Sequence, residues 1–260
     1  MKMNGNTMLI TGGGSGIGRE LARRFHDLGN TVIVAGRRRA QLEETIAERA
    51  HMHALTLDIS TPQTVEAFAA RLLTAFPQLN VLVNNAGIMH LEDLSTRHAD
   101  TDTQAMVVTN LLGPIRLTNA LVDHLQTQVD AAIVNVSSGL AFVPLPAAPT
   151  YSATKAAVHA YTVALRERLK GKVEVVEVIP PAVQTELTPG QSTREGYMPL
   201  DEYIDETMAG FQQRPTPAEI LVQRVKPLRF AERQNRHGEM LEMLSGRAPS
   251  GPTLARAPAS

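Results

Sequence analysis

The chain has 260 residues, 43% of them hydrophobic and 20% charged, with a formal net charge of −1. That is enough apolar material for one sizeable core, and the near-neutral balance excludes the basic field of a nucleic-acid surface. Cysteine is absent, which removes disulfides and thiolate chemistry and leaves any metal to His, Asp or Glu; no metal set is read from the sequence.

The opening MKMNGNTMLI has one lysine and a short apolar run, not the continuous apolar stretch of a secretory leader. No segment reads as the roughly 20 apolar residues of a spanning helix. A soluble, cytoplasmic chain with no membrane insertion is the expectation. Thr7 to Ile10 predicts a first strand, which ends in glycines. From Gly16 onward Ile17, Leu21, Phe25 and Leu28 recur at helical spacing, and Gly29-Asn30 stops them. TVIVAG is β-branched without polar alternation, the pattern of a strand buried on both faces.

A helix over 39–48, a strand at HALTLD and a helix over 65–75 follow. NVLVNNAG, AAIVNVSS and VEVVEVI are the fourth to sixth apolar runs, with helical stretches over 103–125 and 151–170 between them. Pro114 either bends the longer stretch or marks a new first turn. The alternation predicts an α/β fold of Rossmann type, a three-layer α/β/α sandwich around a mainly parallel sheet.

After Ile179 prolines and glycines punctuate the chain: Pro180, Pro181, Pro189, Gly190, Gly196 and Pro199. The segment 186–216 reads as a substrate loop with one short helix near 201–209. Thr216-Pro217 reads as cap and first-turn proline of a helix reaching Phe230. A single domain over 1–245 and a flexible tail over 246–260 complete the organisation.

TGGGSGIGRE places Gly12, Gly16 and Gly18 between the first strand and first helix. The first gives the tight turn, the second lets the backbone approach a pyrophosphate, and the third allows close helix–sheet packing. Gly14, Ser15 and Ile17 belong to the same turn, and the helix N-terminus offers free N–H groups to a phosphate. A turn that serves packing alone is the competing reading.

An NAD site carries an Asp or Glu about twenty residues on, for the ribose hydroxyls. Here the second strand ends AGRRRA, without a carboxylate from Thr31 through Gln41. Arg37 and Arg38 suit a 2′-phosphate, so NADP(H) is expected in preference to NAD(H); a solvated basic turn is the alternative. Asp58, with Ile59, closes the third strand at its carboxyl end, as an adenine contact or as a helix cap. Asn85, Ala86 and Gly87 close the fourth strand, where small residues admit the dinucleotide and an asparagine can tie strands together.

Tyr151 and Lys155 lie four apart at a helix start and share one face. A phenol near its usual pKa of about 10 is a poor acid–base group at neutral pH; a neighbouring ammonium and a cationic nicotinamide favour the phenolate. Such a tyrosine gives a proton to a ketone or takes one from an alcohol. Ser137-Ser138 end the fifth strand at the same sheet edge, where a hydroxyl can hold the developing oxyanion.

The chain resembles the short-chain dehydrogenase/reductase family, on TGGGSGIG at Thr11 to Gly18, NNAG at Asn84 to Gly87, Asn110 in VTNLLGP, Ser138, and YSATK at Tyr151 to Lys155. NVSSGLAFVP and LLGPIRL are similar to its DltE-like branch. The resemblance implies a seven-stranded sheet, an enzyme acting on CH–OH or C=O groups, and a homodimer or homotetramer. It also implies roles: Tyr151 as general acid/base, Ser138 polarising the substrate oxygen, Lys155 binding ribose and lowering the tyrosine pKa, and Asn110 holding a relay water. Asn85 would line the cofactor site, and Asp58 would meet adenine. One departure is PPAVQTEL after the sixth strand, where Pro181 replaces the family's glycine and removes an N–H. Pro181 is still expected at the cofactor site, with Val183 offering its backbone N–H to the carboxamide and Thr185 meeting the cofactor.

Met89, Leu140, Phe142, Val143 and Leu187 are the expected substrate-pocket residues, and His90 is read as a surface histidine. An uncharged ketone or secondary alcohol fits this apolar set. The leading reading is NADPH-linked carbonyl reduction; the alternatives are NAD-linked alcohol oxidation and a non-catalytic NADP(H)-binding regulator.

Overall fold

The structure, a computed structural model, describes residues 1–96 and 100–246. Apart from Gly246, the expected tail lies outside the described residues. Seven strands form one sheet: β1 (Thr7–Thr11), β2 (Thr31–Gly36), β3 (Met52–Thr56), β4 (Leu79–Asn84), β5 (Ala132–Val136), β6 (Glu174–Ile179) and β7 (Glu219–Leu221). Their order is β3-β2-β1-β4-β5-β6-β7, and every pairing is parallel. The chain reverses its winding between β1 and β4, so a crevice opens at their carboxyl ends, where open α/β sheets bind ligands.

Successive strand residues point to opposite faces. Met8, Ile10, Val32, Val34, Val81 and Val83 fill one layer, while Leu9, Ile33, Ala35 and Leu82 fill the other. Helices α1 (Gly16–Asp27) and α7 (Leu200–Gln212) cover the first face, where the Phe25 and Phe211 rings meet edge-on at 5.3 Å. Helices α3 (Pro62–Ala75) and α5 (Gly113–Leu125) cover the second with Phe68, Leu72, Leu117, Leu121 and Leu125. Between β2 and β3 lies α2 (Arg39–Ile46), and α6 (Pro149–Arg168) precedes β6.

The stretch ahead of β5 is composite. Helix α4 (Asp100–Val107) runs into a π-helical segment, Val108–Leu112, and then into α5, where Pro114 is the second residue. Pro114 therefore begins a new turn. Contrary to expectation, Asp100–Leu125 is long and apolar enough by composition to cross a membrane. Leu117, Leu121 and Leu125 on its second half are fully buried in the layer against the sheet, as in a core helix.

One element differs from expectation. Residues 216–230 do not form one helix: β7 occupies Glu219–Leu221, followed by a 3-10 turn at Gln223–Val225, the single-turn α8 (Lys226–Arg229) and then α9 (His237–Gly246). Ile220 pairs with Val178 on β6 and is 2% exposed, so pairing at the sheet edge overrides the cap-and-proline signal. The segment 186–216 holds the thirteen-residue α7.

Gly210 on α7 lies where a Cβ would stand 2.6 Å from Ile220 Cγ2. Ordinarily Gly→Ala in a helix gains about 1 kcal/mol, but overpacking against a β-branched side chain costs about 1–3 kcal/mol. Gly210→Ala is therefore expected to lower the urea midpoint, and a raised midpoint would contradict this packing.

Candidate active site

A cleft of about 370 Å³ runs along the carboxyl edge of the sheet, within the usual size range of ligand sites. At one end the β1–α1 turn forms its floor. Gly12 has φ +66°, and a Cβ there would meet Ala86 Cα at 2.9 Å; at Gly18 it would meet the Gly12 carbonyl oxygen at 2.4 Å. Only glycine fits these positions, and the N-terminus of α1 points into the opening. Thr11 Oγ1 accepts from the Asn85 and Ala86 amides at 3.0 and 3.1 Å, and Asn85 Nδ2 donates to the Thr11 carbonyl at 2.9 Å. These bonds hold the ends of β1 and β4 together. Asn84 Nδ2 donates to Asn135 Oδ1 at 2.9 Å, tying β4 to β5 as the sequence suggested.

Gly14, Ser15, Gly16 and Ile17 complete the floor, and Ile59 and Gly87 flank it. Arg37 and Arg38 are exposed at the mouth. Arg39 turns to Glu43 at 2.8 Å. Asp58 also lines the cleft, and its Oδ1 accepts the Ser60 amide at 2.9 Å. Ser60's hydroxyl and amide, and then Arg37, hold the Asp58 carboxyl below its ordinary value. Asp58 is not the helix cap; Thr61 caps α3 through the Thr64 amide.

At the other end Ser138, Tyr151 and Lys155 converge on the cleft. Ser138 caps the 3-10 turn Gly139–Ala141, its Oγ accepting from the Leu140 amide at 3.1 Å. Glu92 fixes the start of α6 by accepting from the Thr150 amide at 2.9 Å and the Thr150 hydroxyl at 2.8 Å. Tyr151 and Lys155 are 7% and 4% exposed. Lys155 Nζ donates to the Val136 carbonyl at 2.9 Å.

Burial pushes the Tyr151 phenol up to about 12, with only the Ser138 hydroxyl pulling it back. It also pushes Lys155 down to about 8, against the charge of Glu177. Among the protein's own groups, burial is thus the larger influence on the phenol and the Ser138 hydroxyl the opposing one. Asn110 does not line the cleft; from the π-helical segment its Oδ1 accepts the Ile88 amide and its Nδ2 donates to the Ile88 carbonyl, both at 2.9 Å.

Pro181, Val183 and Thr185 line the cleft beyond β6. The Pro180 carbonyl accepts the Gly139 amide at 2.8 Å, and Val183 bridges Met198. Gln191, which the sequence did not single out, lies in the wall and donates to the Val183 carbonyl and Thr185 Oγ1 at 2.8 and 3.1 Å. Glu186 also lines the cleft, near Gly16. Neither sits in a periodic pattern that would have marked it.

Met89, Leu140 and Leu187 pack with Tyr151, together with Met106, Leu145 and Ala148. Two expected pocket residues do not join them. Val143 is fully buried against Ala231 and Met240, and Phe142 lies against His159 and Arg229 at 4.7 and 4.5 Å. The 3-10 turn after Ser138 carries both away from the cleft. His90 is partly exposed, its Nδ1 3.9 Å from Asp102.

The short chain dehydrogenase family model matches residues 6–196. The chain is 40% identical over 240 residues to "Uncharacterized oxidoreductase DltE" of Bacillus subtilis (strain 168), covering 90% of this chain and 94% of that one. A short chain dehydrogenase from Burkholderia cenocepacia J2315, solved with NADP, superposes with a TM-score of 0.79 at 24% identity, covering 93% and 99% of the two chains. A dehydrogenase/reductase from Burkholderia phymatum, solved with NAD, gives the same TM-score and identity over 100% and 99%.

Dehydration of Lys155 has a measurable consequence. A lysine whose folded pKa is about 8 against a usual 10.5 binds its proton less tightly when folded, so stability rises as pH climbs from about 8 to 10.5. Below that window the full penalty is present, on the order of 3 kcal/mol. The stability difference between the parent and Lys155→Met should therefore move in the parent's favour as pH climbs from about 8 to 10.5 in chemical denaturation. A difference that stays constant across that window would contradict the cost of this buried charge.

Proposed function

The chain belongs to the short chain dehydrogenase family and is an NAD(P)(H)-dependent oxidoreductase of carbonyl and hydroxyl groups; from that premise we propose that it reduces an uncharged ketone with NADPH, Tyr151 giving the proton. What carries this reading is the convergence of Ser138, Tyr151 and Lys155 on the cleft whose far end is the glycine turn. NADPH, when bound, supplies the hydride. The rest of the work falls to the chain's own groups.

The β1–α1 turn presents its amides to the pyrophosphate. Arg37 and Arg38 take the 2′-phosphate, a reading supported by their place at the cleft mouth and the missing carboxylate in 31–41. Asp58 is proposed as the adenine contact, the Val183 N–H would hold the carboxamide, and Thr185, also in the cleft wall, would meet the cofactor. Lys155 holds the nicotinamide ribose. Asn110 holds a water between Lys155 and solvent; Asn110 Oδ1 and Lys155 Nζ lie 3.4 and 3.8 Å from one point beside Gly87.

The Ser138 hydroxyl donates to the substrate oxygen, and the Tyr151 hydroxyl delivers its proton there as negative charge develops. A buried phenol pushed up to about 12 keeps that proton at neutral pH, as a general acid for reduction requires. Met89, Leu140 and Leu187 beside Tyr151 offer apolar surface and no counter-charge, as an uncharged substrate requires. Homo-oligomeric assembly through the outer faces of α5 and α6 and a cytoplasmic location complete the proposal.

Tyr151→Phe is expected to lower kcat by about 10²–10⁴-fold and to leave the Kd for NADPH nearly unchanged, read by nicotinamide fluorescence over a panel of uncharged ketones. Retained kcat would remove Tyr151 from its role. Arg37→Ala with Arg38→Ala should weaken NADPH by about 10- to 100-fold, the worth of a charged hydrogen bond, and leave NADH unaltered. Equal losses for both cofactors would refute the 2′-phosphate assignment.

A further inference from the structure

Strand β6 interrupts its apolar run VEVVEVI with Glu177, whose side chain is 0% exposed. An ion in that position costs several kcal/mol unless it is paired and hydrogen-bonded. Both oxygens are engaged: Ser137 Oγ donates to Oε1 at 2.5 Å, and His159 Nδ1 lies 2.8 Å from Oε2. With the imidazole proton on Nδ1, the carboxylate accepts at both oxygens, the pattern of its ionised form.

The neighbours link this carboxylate to the active site. Ser137 lines the cleft next to Ser138. His159 stands one helical turn beyond Lys155 on α6, so the two side chains share the face turned to β5 and β6. Lys155 Nζ rests on the carbonyl of Val136, the residue before Ser137. The groups facing Glu177 are Lys155 and His159 from α6, Glu219 from β7 and Arg229 from α8, with Arg166 of α6 donating to the Val175 and Ala218 carbonyls nearby.

Arg229 binds both oxygens of Glu219 at 2.7 Å. That pairing neutralises Glu219 and also argues against a cation at His159, Glu177 and Glu219, although their ligand atoms lie within 4.8 Å. Arg229, though committed to Glu219, feels the Glu177 charge, as Lys155 does from the active-site side.

We propose that Glu177 is a positioning residue for the reaction: its buried carboxylate is the counter-charge that keeps Lys155 an ammonium, and through Ser137 it fixes the strand end that carries Ser138. The inference rests on the roles given above to Tyr151 and Lys155. Its physical basis is geometric: Lys155 Nζ rests on the Val136 carbonyl, one residue before the Ser137 whose hydroxyl binds Glu177, and His159, one turn from Lys155, binds the other oxygen. The Glu177 charge there opposes the effect of burial on the ammonium.

The test reads the lysine directly, without cofactor or substrate. The chain has five lysines, Lys2, Lys155, Lys170, Lys172 and Lys226, so protein labelled with carbon-13 at lysine Cε gives few resonances. The one missing from Lys155→Met is that of Lys155. In Glu177→Gln its titration midpoint should fall by on the order of one pH unit, because losing an adjacent anion disfavours the cation. Glu177→Met, which leaves no unpaired amide in the sheet, should give the same fall if the glutamine variant does not fold.

A midpoint unchanged from the parent in either folded variant overturns the assignment. Tyr151→Phe, assayed in parallel, separates the two claims. Retained kcat in that variant strikes the catalytic reading alone, whereas an unmoved midpoint strikes Glu177 alone.

Discussion

Dehydration of one phenol and one ammonium at the carboxyl edge of the sheet sets the terms for the rest of this molecule. Tyr151 and Lys155 are held almost out of water on the first turns of α6. Each is pushed toward its uncharged form, the phenol to about 12 and the amine to about 8. The fold tolerates this because the lysine finds a carbonyl at the end of β5 and feels the charge of a carboxylate one strand further on. Dryness also strengthens every charge that later enters the cleft, since a low dielectric amplifies both attraction and repulsion. A site that is costly to the protein alone is thus primed for a ligand that brings charge of its own.

The opposite end of the cleft solves a steric problem rather than an electrostatic one. Backbone has to approach backbone closely enough that β1, β4 and α1 meet without a side chain between them. Gly12 and Gly18 provide that space, and Thr11 and Asn85 lock it with hydrogen bonds to main-chain atoms. The two ends are joined by a parallel sheet whose register brings Asn84 opposite Asn135 and Asn135 opposite Glu177. A polar row therefore crosses three central strands just beneath the cleft, each member hydrogen-bonded to a neighbour.

Much of this was legible in the residues, and the exceptions share a cause. TVIVAG reads as a doubly buried strand because its neighbours on both faces are apolar, a local property. The glycine turn and the four-residue spacing of Tyr151 and Lys155 are also local. By contrast, β7 is three residues long and exists because Ile220 finds Val178 and Gly210, which no window over 216–230 contains. Phe142 and Val143 follow Ser138 closely, yet one 3-10 turn sends them to Arg229 and Met240. Gln191 and Glu186 reach the cleft from a segment without periodicity. The weight of burial on the tyrosine was hidden for a related reason: spacing reveals a nearby ammonium, whereas burial depends on everything packed around the ring.

If dryness holds the phenol back and a cationic nicotinamide releases it, the ionisation of Tyr151 must respond to cofactor charge. Phenolate absorbance, recorded as the difference between the parent and Tyr151→Phe across pH, measures this in the presence of NADP⁺ and of NADPH. The account predicts a Tyr151 transition below the ordinary value of about 10 with NADP⁺ and well above it with NADPH. A transition at the same pH with both would contradict it.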